Sequence, residues 1–140
     1  MRLKQLMIDT NIILDVLLER KPFFEQSKGV LNLCEKDRIR GFISASTVTD
    51  IFYIVRRALD STEEAYKTLE HLLNIVNVLT VTGDDVNKAF MQKAKDFEDC
   101  LLATYAKSNK CDGIVTRNAK DFSKFDITLY TPDEVLTMVK

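Results

Sequence analysis

Short apolar runs alternate along this chain with longer segments whose apolar residues recur at helical spacing. Leu6-Met7-Ile8 reads as a short buried strand that ends at Asp9. A helix follows from about Ile12 to Glu19 and stops before Lys21-Pro22, because the residue before a proline disfavours helix. Phe23 to Asp37 is amphipathic, with Val30, Leu31, Leu33 and Cys34 spaced for one helical face. Arg40 to Ala45 is a second strand, and Ser46 is placed to cap the helix that carries Val48, Ile51, Phe52 and Val55. Ser61-Thr62-Glu63-Glu64 is a capping box opening a helix to about Ile75. Val76 to Val81 alternates as a strand does, and Thr82-Gly83-Asp84-Asp85 starts the next helix. Phe97 to Lys110 is helical, with Leu102, Ala103 and Ala106 inward, and Asp112 to Thr116 and Ile127 to Tyr130 are strands. Thr131-Pro132-Asp133-Glu134 caps the last helix, with proline at the first helical position. Strands separated by helices predict an α/β fold, a three-layer α/β/α sandwich around a central, mostly parallel sheet.

Composition narrows the picture in three ways. A chain of 140 residues, 46% of them hydrophobic, suits a single domain with one core over residues 1–140. Charged residues make up 29% and nearly cancel, to a formal net charge of −1, so a protein that coats nucleic acid by bulk charge is excluded. An RNA partner would need local basic clusters or bound cations to offset its phosphates. Cys34, Cys100 and Cys111 have no CxxC spacing and read as reduced thiols, two of them packed in helices. Neither a signal peptide nor a membrane-spanning run is visible, and the expected location is cytoplasmic.

Four acidic stations recur where the chain leaves a strand or enters a helix: Asp9, Asp50, Asp99 and the segment from Thr116 to Phe122 that contains Asp121. Converging carboxylates repel one another and lose hydration, and they coexist most readily around a hard divalent cation such as Mg²⁺ or Mn²⁺. One histidine and no cysteine–histidine cluster argue against zinc. Each acid also has an ordinary structural explanation. Asp9 or Asn11 would serve as a helix cap, Asp96 as an N-cap with Asp99 favoured by the helix dipole, and Asp121 as a surface turn residue. Asp50 is harder to explain that way, because Ile51 and Phe52 beside it are apolar. A nucleophilic strand-end aspartate of the phosphatase kind usually wants a second acid two residues on, where this chain has Asn11.

These residues resemble the PIN domain, the nuclease family that includes the VapC-type toxins of bacterial toxin–antitoxin pairs. The resemblance covers nearly the whole chain. It rests on Ile8-Asp9-Thr10-Asn11-Ile12, on Ser44 to Ile51, on Asp96-Phe97-Glu98-Asp99-Cys100-Leu101-Leu102-Ala103, and on Ile114-Val115-Thr116-Arg117-Asn118-Ala119-Lys120-Asp121-Phe122. By position it makes Asp9, Asp50 and Asp99 the family's first three acids, and it puts Thr116 and Asn118 at a Thr-x-Asp motif. Two positions depart from the usual pattern. Asp50 stands where glutamate is commoner, and Asn118 stands where many members have aspartate, a charge that Asp121 is placed to replace.

The resemblance implies a divalent-metal-dependent ribonuclease using Mg²⁺ or Mn²⁺. Asp9, Asp50 and Asp99 would be its catalytic ligands, and Asn118 and Asp121 would complete the metal site. Thr10, Asn11 and Thr116 would orient ligands or water, and Arg117 would contact RNA phosphates. It further implies a toxin paired with an antitoxin protein, and a homodimer. The alternative is a PIN module, non-catalytic or RNA-processing, that binds RNA or a partner protein.

Overall fold

The computed structural model describes residues 2–139. The elements, in chain order, are β1 (Gln5–Ile8), α1 (Thr10–Leu17), α2 (Phe24–Glu35), β2 (Arg40–Ser44), α3 (Ala45–Leu59), α4 (Thr62–Ile75), β3 (Asn77–Leu79), α5 (Gly83–Gln92), α6 (Phe97–Ser108), β4 (Gly113–Val115), α7 (Ala119–Phe122), β5 (Leu129–Tyr130) and α8 (Pro132–Met138). The strands form one sheet in the order β3-β2-β1-β4-β5, and every pairing is parallel.

Strand pleating sends alternate residues to opposite faces, and the two faces carry separate cores. Leu6, Ile8, Ile43 and Val115 pack with side chains from α1 to α4 and α8, including Ile13, Val30, Ile51 and Leu72. Met7, Phe42 and Ile114 turn the other way, onto Ala89 of α5, Ala103 and Ala106 of α6, and Phe122. The expected α/β/α sandwich is therefore what forms. Buried on both sides, β1 and β4 read as unbroken apolar runs, whereas the edge strand β3 is exposed at Asn77 and Val78. Where β4 passes β5, Gly113 is required by close approach, since a Cβ there would lie 2.7 Å from the Thr128 carbonyl oxygen.

Most predicted boundaries hold to within a few residues, and three local details differ. The cap of α3 is Ser44, whose Oγ accepts from the Thr47 amide at 3.2 Å, and not Ser46. The strand stops earlier than expected, so the helix starts earlier. At Ser61 one half of the expected box is made, with Oγ accepting from the Glu64 amide at 3.1 Å. The complete reciprocal boxes are at Thr82 with Asp85 and at Thr131 with Glu134. The third difference is α7, a short helix immediately after the fourth acidic station.

Candidate metal centre

The chain leaves β1 on one side of the sheet's middle and returns to β4 beside it, so strand order reverses between these two strands. In open parallel sheets ligands bind at the carboxyl ends of the strands at such a reversal. Asp9 and Thr116 emerge there side by side: the Asp9 amide donates to the Val115 carbonyl at 3.0 Å, and the Thr116 hydroxyl donates to Asp9 Oδ2 at 2.9 Å. Asp9 stands at the N-cap position of α1 yet makes no side-chain capping bond. Capping therefore does not account for it.

A cleft of about 850 Å³ opens over this point. Its walls include Asp9, Thr10 and Asn11 from the β1–α1 junction, Asp50 from α3, Asp99 from the first turn of α6, Asn118 from the residue before α7 and Asp121 from α7 itself. Every sequence-predicted site residue except Thr116 and Arg117 lines it. Thr116 is buried just behind and reaches the cleft through its bond to Asp9.

Asp96 and Glu98 also line the cleft, and sequence reasoning treated Asp96 only as a cap. It is that cap, since its Oδ1 accepts from the Asp99 amide at 2.9 Å. Its charge nevertheless acts on the site. Asp96 and Asp99, three residues apart on one helix turn, were the signal that could have shown this.

Electrostatics define the cluster further. Burial, then the charge of Asp96 and its hydrogen bond, then the charges of Asp9 and Asp121 push the Asp99 carboxyl up to about 7. Burial also raises Asp9, against the Thr116 hydroxyl, the nearby amides of Thr10 and Asn11 and the charge of Arg117. Carboxylates that hold each other's protons on are short of positive charge, which a divalent cation supplies.

The donors are all oxygens, as Mg²⁺ and Mn²⁺ prefer. Among the described residues no group of three acidic, histidine or cysteine side chains is poised to hold an ion as it stands. A hard cation keeps several waters and needs only one or two carboxylates directly, so the residues fit it.

Arg117 is engaged within the protein. Its Nε and Nη2 donate to the two carboxylate oxygens of Asp15 at 2.7 and 3.1 Å, and its guanidinium lies 3.8 Å from the centre of the Phe23 ring. Asp15 is fully buried and outranks a solvated phosphate as a partner, because a carboxylate withdrawn from water needs a paired donor.

Comparison with known proteins places this architecture. A profile of the PIN domain matches residues 5–120. Ribonuclease VapC1 of Aquifex aeolicus is 24% identical over 139 residues, covering 96% of this chain and 94% of the relative. VapBC2 of Rickettsia felis, solved bound to a DNA fragment from its promoter, superposes with a TM-score of 0.71 at 18% identity, covering 91% of this chain and 98% of the other. DNA-bound VapBC of Salmonella typhimurium gives a TM-score of 0.70 at 21% identity, over 94% and 99% of the two chains. The profile match spans most of the chain, and the sheet is the five-stranded parallel one expected of it: the protein belongs to the PIN domain family.

Proposed function

We propose that this chain is one nuclease domain over residues 1–140 that hydrolyses RNA phosphodiesters with Mg²⁺ or Mn²⁺. Dependence on a divalent metal is general among PIN ribonucleases. The observation that carries the reading is the cluster of Asp9, Asp96, Asp99 and Asp121, with Asp99 pushed up to about 7, at the reversal of strand order. Asp9, Asp50 and Asp99 hold the cation, and Asp121 restores the charge that Asn118 lacks. A bound divalent ion supplies an activated water and offsets charge developing on the phosphate. The chain's own part is to orient and exclude: Thr116 fixes the Asp9 carboxylate, while Thr10 and Asn11 position water at the cleft floor. The likeness to a VapC ribonuclease and to VapBC complexes supports a toxin held by an antitoxin protein. No helix among the described residues is long and apolar enough to cross a membrane.

RNA cleavage assayed with Mg²⁺, with Mn²⁺ and with EDTA tests the reading; cleavage undiminished by EDTA would sink it.

Proton linkage gives a second test. The folded, metal-free protein holds the Asp99 proton up to about 7, whereas the usual value is 3.8. As pH rises between those values, the folded state keeps a proton that the unfolded chain has released, so metal-free stability falls. The cation takes the carboxylate form, so Mn²⁺ binding expels a proton and weakens by about tenfold per pH unit below neutrality. Calorimetric titration in two buffers of different ionisation enthalpy reads that proton. An affinity that stays flat below neutral pH contradicts the cluster.

With Arg117 committed to Asp15, phosphate contact passes to Arg56 and Arg57. Their guanidinium carbons lie 5.6 and 5.8 Å from the centre of the Tyr53 ring, and Tyr53 is an exposed residue that lines the cleft one turn beyond Asp50. Replacing both arginines with glutamine should flatten the salt dependence of single-stranded RNA binding by about 0.7 per lost contact. Measurement on an inactive Asp9→Asn background separates binding from cleavage. An unchanged slope removes these arginines from the RNA path.

A further inference from the structure

We propose that the ion pair between Asp15 and Arg117 is a positioning device, clamping the segment between β4 and α7 so that Thr116 and Asn118 are held against Asp9. The proposal rests on the reading of the cleft as a divalent-cation site, and it assigns work to two residues that lie outside that cleft.

The geometry starts from a cost. Asp15 sits in α1 with no exposed surface, where an ionised carboxylate is unfavourable unless donors compensate it. Its donors come from separate parts of the chain. Arg117 supplies a two-pronged contact at 2.7 and 3.1 Å, Ser27 of α2 donates its hydroxyl at 3.0 Å, and Arg20 stands off at 3.9 Å. The guanidinium also rests on the Phe23 ring. Planar, forked and stacked, it is fixed in direction as a lysine ammonium would not be.

The neighbours of Arg117 in the chain are both site residues. Thr116 Oγ1 is the link: it donates to Asp9 Oδ2 at 2.9 Å and accepts from the Asn118 amide at 3.0 Å. Arg117 points away, between them, and is held from behind. The β4–α7 segment is thus tied twice to the start of the chain, through Thr116 to Asp9 and through Arg117 to Asp15. Releasing the second tie lets the first rotate, and the Asp9 carboxylate loses the donor that orients it. Partners that orient a metal's ligands from behind act on affinity without touching the metal.

Calorimetric titration of the full chain with Mn²⁺ tests this. The double variant Asp15→Leu with Arg117→Met removes both buried charges together, an exchange that folds generally tolerate. Arg117→Lys keeps the charge and loses the fork, so it reads the same point if the double variant does not fold, as judged by circular dichroism. Both should bind Mn²⁺ about 10–100-fold more weakly than the unaltered protein. Asp9→Asn should not bind at all. Asp112→Asn breaks contacts with Arg2 and the Gln5 amide at the opposite ends of β1 and β4, and should bind normally. Affinity within about twofold of normal in the folded double variant and in Arg117→Lys overturns the clamp and leaves the metal site standing. Equal weakening by Asp112→Asn overturns it too, as general loosening. An unaltered protein that does not bind Mn²⁺, or an Asp9→Asn protein that binds as well, overturns the underlying metal reading.

Discussion

Exchanging Asp9 for asparagine is expected to cut RNA cleavage by roughly 10²–10³-fold, because a bound cation contributes several kcal/mol at the transition state and each 1.36 kcal/mol is a tenfold change in rate. The fold should survive. Asn keeps the shape of Asp and an oxygen that can still accept from Thr116 Oγ1, which now lies 2.9 Å from Asp9 Oδ2. It also deletes a buried charge that works against the fold, since burial raises the Asp9 carboxyl and Asp9 in turn raises Asp99. The metal-free variant should therefore melt no lower than the unaltered protein, and its melting temperature should no longer rise with Mn²⁺. Parallel cleavage assays and thermal melts check both halves. Full cleavage by a folded Asp9→Asn protein would move the chemistry away from the β1–β4 junction. Collapse of the fold would mean that Asp9 is held for structure.

Arg117→Met should be the most destabilising single exchange near the site, by about 3 kcal/mol, the lower end of the range for removing one partner of a buried ion pair. The reason is what it leaves behind. Asp15 has no solvent access, and with the fork gone it retains one hydroxyl at 3.0 Å and one distant guanidinium at 3.9 Å. Of all the salt bridges among the described residues, only those to Asp15 involve a fully buried carboxylate. Exposed pairs such as Lys67 with Glu63 contribute far less, because water already solvates both partners. For a chain of this size the loss corresponds to a drop of roughly 10 °C in melting temperature. Denaturant titration of Arg117→Met beside a Lys67→Met control would show the difference. Similar midpoints for the two would mean that Asp15 is solvated in ways its burial denies.

The fold was largely legible in sequence, and particular residues show why. Leu6-Met7-Ile8 and Gly113-Ile114-Val115 are apolar on both faces because helices cover both faces of a parallel sheet, and that pattern is written in composition alone. Thr131-Pro132-Asp133-Glu134 acts locally, so its capping box was predictable and is present. Ser44 against Ser46 was not decidable, since both hydroxyls can cap and only the length of β2 chooses between them.

At the site the division is similar. Asp9, Asp50, Asp99 and Asp121 could be nominated from their places at strand ends and helix starts, Asn118 only through the resemblance, and the structure brings all five to one cleft. Asp96 was visible only as a cap, because its effect on Asp99 acts through its charge and hydrogen bond at a carboxyl that the fold partly buries. The pairing of Arg117 with Asp15 was not visible in sequence, where a basic residue next to a candidate ligand looks first like a phosphate contact.

By itself, then, the amino-acid order determined the layers, the strand-end acids and the oxygen character of the donors, since these depend on periodicity and chemical type. Tertiary structure alone decided which acids share a field, and it turned Arg117 inward. Both depend on distances between residues far apart in the chain. Asp15 and Arg117, 102 positions apart, meet only after β1 and β4 have paired.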